Sequence, residues 1–239
     1  MDLNINIPEI NIDLDLGLSS FNNRYQKAKV IQSLPEGMIK YTNAKKLASK
    51  INLEKNPRYN CIVAGNFIFG DFIEAFIVEN NCKCLNVTIS TLSMDQNNVD
   101  SLHNLIEGEF IEELNLVVSD YFYAHERGQL IPYIYRELDI DNKFQLAVAG
   151  SHTKICLIRT LGGKHIVIQG SANLRSSSNI EQFTIEDNKD LYDFYLEYHE
   201  LIIEEYKTIN KDQKKHKSLR GKKLWETVEG KTQGISTTI

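Results

Sequence analysis

The sequence predicts an α/β domain built on a mixed β-sheet flanked by helices. Three observations predict it. Between residues 60 and 149, short apolar runs of strand length alternate with segments of helical period. Between 152 and 185 the pattern changes to closely spaced strand-like runs punctuated by glycine turns. Leu191, Phe194, Tyr195, Tyr198, Leu201 and Ile202 then mark one face of a long helix.

Residues 1–20 alternate apolar and polar side chains, with the phase slipping at Pro8, and predict an extended N-terminal arm. Such an arm could add a strand to a neighbouring sheet or stay disordered. Residues 24–53 read as helical or mixed, with Pro35-Glu36-Gly37 as a turn. From there the expectations are specific. Residues 61–67 form a buried strand, 71–79 a short helix and 84–91 a strand. Asp95 caps a helix reaching about 107. Residues 114–119 form a strand, 128–138 a helix and 144–149 a strand. Residues 152–160 and 164–169 flank Leu161-Gly162-Gly163 as a hairpin. Residues 170–179 form a loop and 180–185 a short strand. Asp187 or Asn188 caps the last helix, which ends near 207. His199 is expected at the boundary of that helix, His103 facing solvent, and His165 exposed on the hairpin. The chain divides into the arm (1–20), one domain (21–207) and a basic C-terminal tail (208–239).

Composition places the chain among ordinary globular proteins, with 42% hydrophobic and 25% charged residues. Cys61, Cys82, Cys84 and Cys156 read as reduced thiols, because Cys82-x-Cys84 lacks the further ligands of a zinc site. No secretory leader is visible, and no apolar run reaches membrane-spanning length, so a cytoplasmic protein with no membrane partner is expected. The net charge of −5 is unevenly spread. Lys211, Lys214, Lys215, Lys217, Arg220, Lys222 and Lys223 stand with a single acid, Asp212. That asymmetry points to a polyanion, or to a solvated basic tail with no partner.

The chemistry concentrates in His152-Thr153-Lys154 and Gly170-Ser171-Ala172-Asn173. Two residues apart on a strand, His152 and Lys154 would share a face. At its ordinary pKa much of an imidazole is neutral at physiological pH and can attack phosphorus. A lysine beside it would neutralise non-bridging oxygens in the transition state. Ser171 and Asn173 would add neutral donors, and Glu181 a carboxylate able to orient the ring. These groups make no metal cage, so the set suggests phosphoryl transfer without a metal or cofactor. Either short run alone is commonplace. Their order, with Glu181 following, makes the joint signal specific. Asp120, Tyr121, Tyr123, His125 and Glu126 follow a strand, where α/β folds place ligands. They read either as a cleft lining or as a polar loop with aromatic packing.

His152-x-Lys154, Gly170-Ser171-x-Asn173 and Asn179-x-Glu181, in that order, resemble the HKD motif of the phospholipase D superfamily. The stretch from Gly65 to Glu74 adds a similarity to small single-motif bacterial and phage proteins. The resemblance covers about two-thirds of the chain. It implies a phospholipase D-like sheet, His152 as a nucleophile forming a phosphohistidine, and Lys154 and Asn173 as phosphate ligands. It implies Ser171 as a supporting donor and Glu181 as the orienter of His152. With one motif per chain, it also implies a homodimer in which a second His152 supplies the general acid. The motif's aspartate position is occupied by Arg159. The expected function is a nuclease acting on nucleic acid, with DNA favoured over RNA. Arg159, Lys214, Lys215, Lys217, Arg220, Lys222 and Lys223 would hold the backbone. The alternatives are a non-cleaving nucleic-acid-binding protein on the same fold and, less favoured, a phospholipid phosphodiesterase.

Overall fold

In a computed structural model of the chain, the structure describes residues 29–33, 36–41, 43–63, 67–175 and 179–209. The N-terminal arm and the lysine-rich tail fall outside them. The elements in chain order are β1 (Lys29–Ser33), β2 (Glu36–Tyr41), α1 (Ala44–Ala48), β3 (Arg58–Val63), α2 (Phe69–Glu79), β4 (Cys84–Thr91) and α3 (Gln96–Glu107). They continue with β5 (Leu114–Ser119), α4 (Asp120–Glu126), α5 (Leu130–Leu138), β6 (Phe144–Ala149), β7 (Ile155–Thr160), β8 (His165–Gly170), β9 (Glu181–Asp187) and α6 (Lys189–Tyr206).

The described strands form one mixed sheet in the order β1-β2-β3-β9-β8-β7-β4-β5-β6. β4, β5 and β6 run parallel, as helical crossovers require, while β7, β8, β9 and β3 are joined antiparallel. The expected mixed α/β sheet is therefore present, as is the hairpin, whose turn uses Gly163 at φ 84°.

One face of the sheet packs against the layer containing α1, α2, α3 and α5. Val87, Ile89, Leu114, Leu116, Cys156, Ile158, Ile166, Ile168, Phe183 and Ile185 point into that core. Phe183 lies 4.9 Å from the Phe72 ring and 5.1 Å from Phe69, measured between centroids. α6 covers part of the other face, over Val117, Ala147 and Ala149 and over Leu157 and Val167. Strand alternation thus divides β5, β6, β7 and β8 between two covers. The four cysteines are free, with Cys61, Cys84 and Cys156 buried. Burial pushes the Cys61 and Cys84 thiols up to about 12, which makes them poor nucleophiles.

Several expectations are met by named interactions. Asp95 accepts from the Asn98 backbone at 3.2 Å, while the Asn98 side chain accepts from the Asp95 backbone at 2.9 Å, closing a capping box. Asn188, not Asp187, caps α6 through Leu191 N. Other expectations need correction. Glu36 and Gly37, read as part of a turn, open β2, while the antiparallel strands β1 and β2 and the helix α1 give the segment the mixed character expected of it. The strand read as 61–67 is Arg58–Val63. The segment after β5, read either as a cleft lining or as a polar loop, forms a separate helix, α4. β7 begins at Ile155, so His152 and Lys154 precede the strand. His199 is fully buried, and His103 is partly covered with Nδ1 2.8 Å from the Glu137 carbonyl. His165 is also partly covered, edge-on to Tyr192 at 5.1 Å. Packing continues past the expected boundary at 207. Thr208 receives the Tyr135 hydroxyl at 2.7 Å, and Gln145 bonds both backbone groups of Ile209.

Candidate active site at one edge of the sheet

Strand direction gathers the candidate residues. β3, β4, β5, β6 and β8 end, and β7 and β9 begin, at the same edge. The register shows this, with Ser90 opposite Ile155, Ile155 opposite Gln169, Gly170 opposite Phe183 and Val63 opposite Glu181. Residues 150–154 leave the outermost strand, β6, and cross the ends of β5 and β4 to reach β7. Hydroxyls pin this crossing. Thr153 donates to Ser90 Oγ at 2.9 Å, and the Ser151 and Thr153 hydroxyls are 2.8 Å apart.

His152 and Lys154 meet directly. Lys154 Nζ is 3.0 Å from His152 Nδ1 and 2.9 Å from its carbonyl oxygen. The expected shared location is correct, but its cause is this contact and not strand alternation. An ammonium can only donate, so Nδ1 is the accepting nitrogen, and the neutral ring carries its proton on Nε2. Burial holds the Lys154 ammonium below the ordinary lysine range, and the Glu181 carboxylate opposes that shift. The lysine is thus a partly desolvated cation poised beside a ring nitrogen.

The Gly-Ser turn is fixed by close backbone approach. A Cβ on Gly170 would lie 2.6 Å from the Phe183 Cα and would also strike the Gln182 carbonyl. Ser171 N donates to Gln182 O at 2.9 Å, and Gln182 N donates to Ser171 Oγ at 3.1 Å. The Ser171 hydroxyl in turn donates to Glu181. Glu181 is therefore held by Ser171 and acts electrostatically on Lys154. Beyond the turn, Leu174 N donates to Thr91 Oγ1 at 3.3 Å, and Leu174 O accepts from Gly70 N at 2.9 Å. These bonds tie the turn to the end of β4 and the start of α2. Asn173 is half-buried, and among the described residues its Oδ1 has no hydrogen-bond partner. Turning that amide over would present N–H donors at the same point.

An open cleft of about 420 Å³ lies at this edge. His152, Thr153, Lys154, Ile155, Gln169, Gly170, Gln182 and Thr184 line it. Gln169, Gln182 and Thr184 are additions that motif reasoning does not reach. Their only signal is polarity at strand positions alternating with buried Ile168, Phe183 and Ile185. Arg159 is exposed near the opposite end of β7, beside His165 in the register. Five residues of strand put it on the order of 17 Å from Lys154. It is not brought to the cleft. Lys214, Lys215, Lys217, Arg220, Lys222 and Lys223 lie outside the described residues.

No family model matches the chain, and no curated protein matches it. Among solved structures, the chain is similar to Nuc, a phospholipase D family member from Salmonella typhimurium. The TM-score is 0.42 and the identity 14%, over 62% of this chain and 96% of that one. NucT from Helicobacter pylori gives a TM-score of 0.44 and 12% identity, over 62% and 96%. Phosphatidylserine synthase from Haemophilus influenzae Rd KW20 gives 0.48 and 10%, over 75% and 46%. TrmBL2, an archaeal chromatin protein, gives 0.42 and 10%, and this chain covers 52% of its length. Among the described residues, no helix is long and apolar enough to cross a membrane.

Proposed function

We propose that the chain is a phosphodiesterase acting on nucleic acid, DNA in the first instance, with His152 as nucleophile. The observation that carries this reading is the direct pairing of Lys154 Nζ with His152 Nδ1 at the mouth of an open polar cleft. A phosphodiester entering the cleft competes for the ammonium, since an anion is a stronger acceptor than an imidazole. Lys154 then moves onto a non-bridging oxygen and releases the ring. A ring nitrogen attacks phosphorus, the bond to the leaving oxygen breaks, and that oxygen takes a proton from a general acid. Water attacks the phosphohistidine in the second half, and the acid, now a base, accepts the water's proton. Ser171 holds Glu181 near Lys154, which keeps the lysine charged against its burial. Asn173 supplies amide donors from the far side of the turn.

The general acid is the His152 of a second copy, so the active unit is a homodimer. Support comes from α6, which carries Phe194, Tyr198 and Leu201 exposed on one side and touches the cleft through Tyr195 and Gln169. Arg159 at the motif's aspartate position does not argue strongly for an inactive protein, because its distance from Lys154 keeps it out of the chemistry. The tail lysines would supply sequence-independent affinity for the backbone.

The test is cleavage of labelled oligonucleotide in excess EDTA by the wild type and by His152→Ala. Turnover that persists in EDTA and is lost in the variant is expected. Turnover abolished by EDTA, or retained by His152→Ala, would count against the reading. Salt-sensitive binding with no turnover by the wild type would favour the non-cleaving alternative.

A further inference from the structure

α4 begins where β5 ends, on the same sheet edge as His152. Its residues divide sharply. Phe122 and Tyr123 are buried in the core, whereas Tyr121 is 66% exposed and His125 is also exposed. The two outward rings lie against one another, with centroids 4.0 Å apart and planes inclined by 36°. His125 Nδ1 is 2.8 Å from the Tyr121 carbonyl oxygen. Nδ1–H is the donor there, so the ring is oriented by its own helix. Leaving a tyrosine ring in water forgoes the gain that burial would give, yet this pair is held in a defined arrangement at the surface.

The pair neighbours the reacting group. Residues 150–154 pass over the end of β5, and a Cβ on Gly150 would lie 4.0 Å from Asp120 Oδ2. Asp120 immediately precedes Tyr121, and Gly150 is two residues from His152. β5 and β7 are separated by β4 alone, about 10 Å across the sheet. The nearby carboxylates of Asp120 and Glu126 disfavour a second phosphate at this spot. A neutral aromatic ligand meets no such repulsion. In a paired duplex the base faces are already stacked on their neighbours, so a ring platform takes only an unpaired base.

Resting on the nuclease reading above, we propose that Tyr121 and His125 form a stacking platform for an unpaired nucleobase flanking the phosphate held at His152–Lys154. Single-stranded nucleic acid is then the preferred substrate class.

The experiment uses the full chain carrying His152→Ala, which prevents turnover. Fluorescence anisotropy compares a labelled single-stranded oligodeoxynucleotide, the same length of abasic strand, and the duplex. The base-bearing strand binds about 10-fold or more tightly than the abasic strand. Adding Tyr121→Ala brings that ratio close to one without weakening the abasic strand, and Tyr121→Phe preserves it. A ratio unchanged by Tyr121→Ala, or a duplex bound as tightly as the single strand, overturns the platform. If turnover by the wild type still depends on His152 in those cases, the nuclease reading stands without it. If no oligonucleotide of any kind binds, both fall.

Discussion

Replacing Gly170 with alanine tests whether the β8–β9 junction positions the site. The added Cβ would sit 2.6 Å from the Phe183 Cα, where two carbons in contact prefer roughly 3.5–4.0 Å. The strands must therefore separate by about 1 Å at this point. Phe183 belongs to a close-packed ring cluster with Phe72 and Phe69, which resists the shift. Overpacking of this kind costs about 1–3 kcal/mol. For a domain of this size, that lowers Tm by about 2–12 °C. The functional effect is larger than the stability effect. Ser171 and Glu181 flank the junction and are linked across it, and a 1 Å misplacement costs about 100-fold in rate. Urea titration and steady-state cleavage of an oligonucleotide, run on one preparation, measure both. The expected result is a folded protein with modestly reduced stability and about 100-fold slower turnover. Wild-type stability together with wild-type turnover would show that the close approach does not exist and that the junction does not set the geometry.

Other predictions concern charge and burial. Lys154→Met should slow cleavage about 100-fold or more, the loss expected for a donor aimed at developing charge. Because burial depresses the Lys154 pKa, the folded state gains relative stability only above the ordinary lysine pKa and loses it as pH falls through the folded value. At pH 7 the methionine variant should melt no lower than the wild type; a clear fall in Tm would contradict this. His199 is buried, its Nδ1 lies 2.6 Å from the Tyr195 carbonyl, and its pKa is lowered chiefly by burial. The neutral ring is therefore favoured by folding, with full benefit above about pH 6.5 and progressive loss below it. His199→Phe should flatten the acid side of the Tm–pH curve relative to the wild type; parallel curves would count against it. Truncation after Ile209 should reduce the slope of log affinity against log salt for single strands by up to about 4, the share of six backbone contacts. An unchanged slope would remove the tail from the binding surface.

Much of the fold is legible where local signals agree. Asp95 before an apolar-periodic run announces α3, and β4, β5 and β6 are short runs rich in apolar residues whose limits match the structure. The strand pair at 29–41 is not legible, because its lysines, glutamine and serine interrupt any period. α4 is hidden for a different reason. Asp-Tyr-Phe-Tyr-Ala-His offers aromatic residues of weak helix propensity, and tertiary burial of Phe122 and Tyr123 decides the conformation. The candidate residues are readable as types and in their order, but their partners are not. That Lys154 touches His152 depends on how the 150–154 crossing is pinned to Ser90 of β4, and that Ser171 holds Glu181 depends on β8–β9 register; both are set by partners distant in sequence. The same limit explains Arg159. Adjacency in a motif suggests a role at the site, while strand geometry carries the side chain to the far end of β7.

Covalent attachment of phosphate to His152 is the central claim. Rapid quenching of the enzyme with a labelled oligonucleotide in base, followed by peptide mass spectrometry under alkaline conditions, tests it most directly. The expected result is a nucleotide or phosphate adduct on the peptide containing His152, stable in base, lost in acid, and absent from His152→Ala. A wild-type enzyme that turns over rapidly and yet carries no adduct at any quench time, or carries it on another residue, would contradict the account.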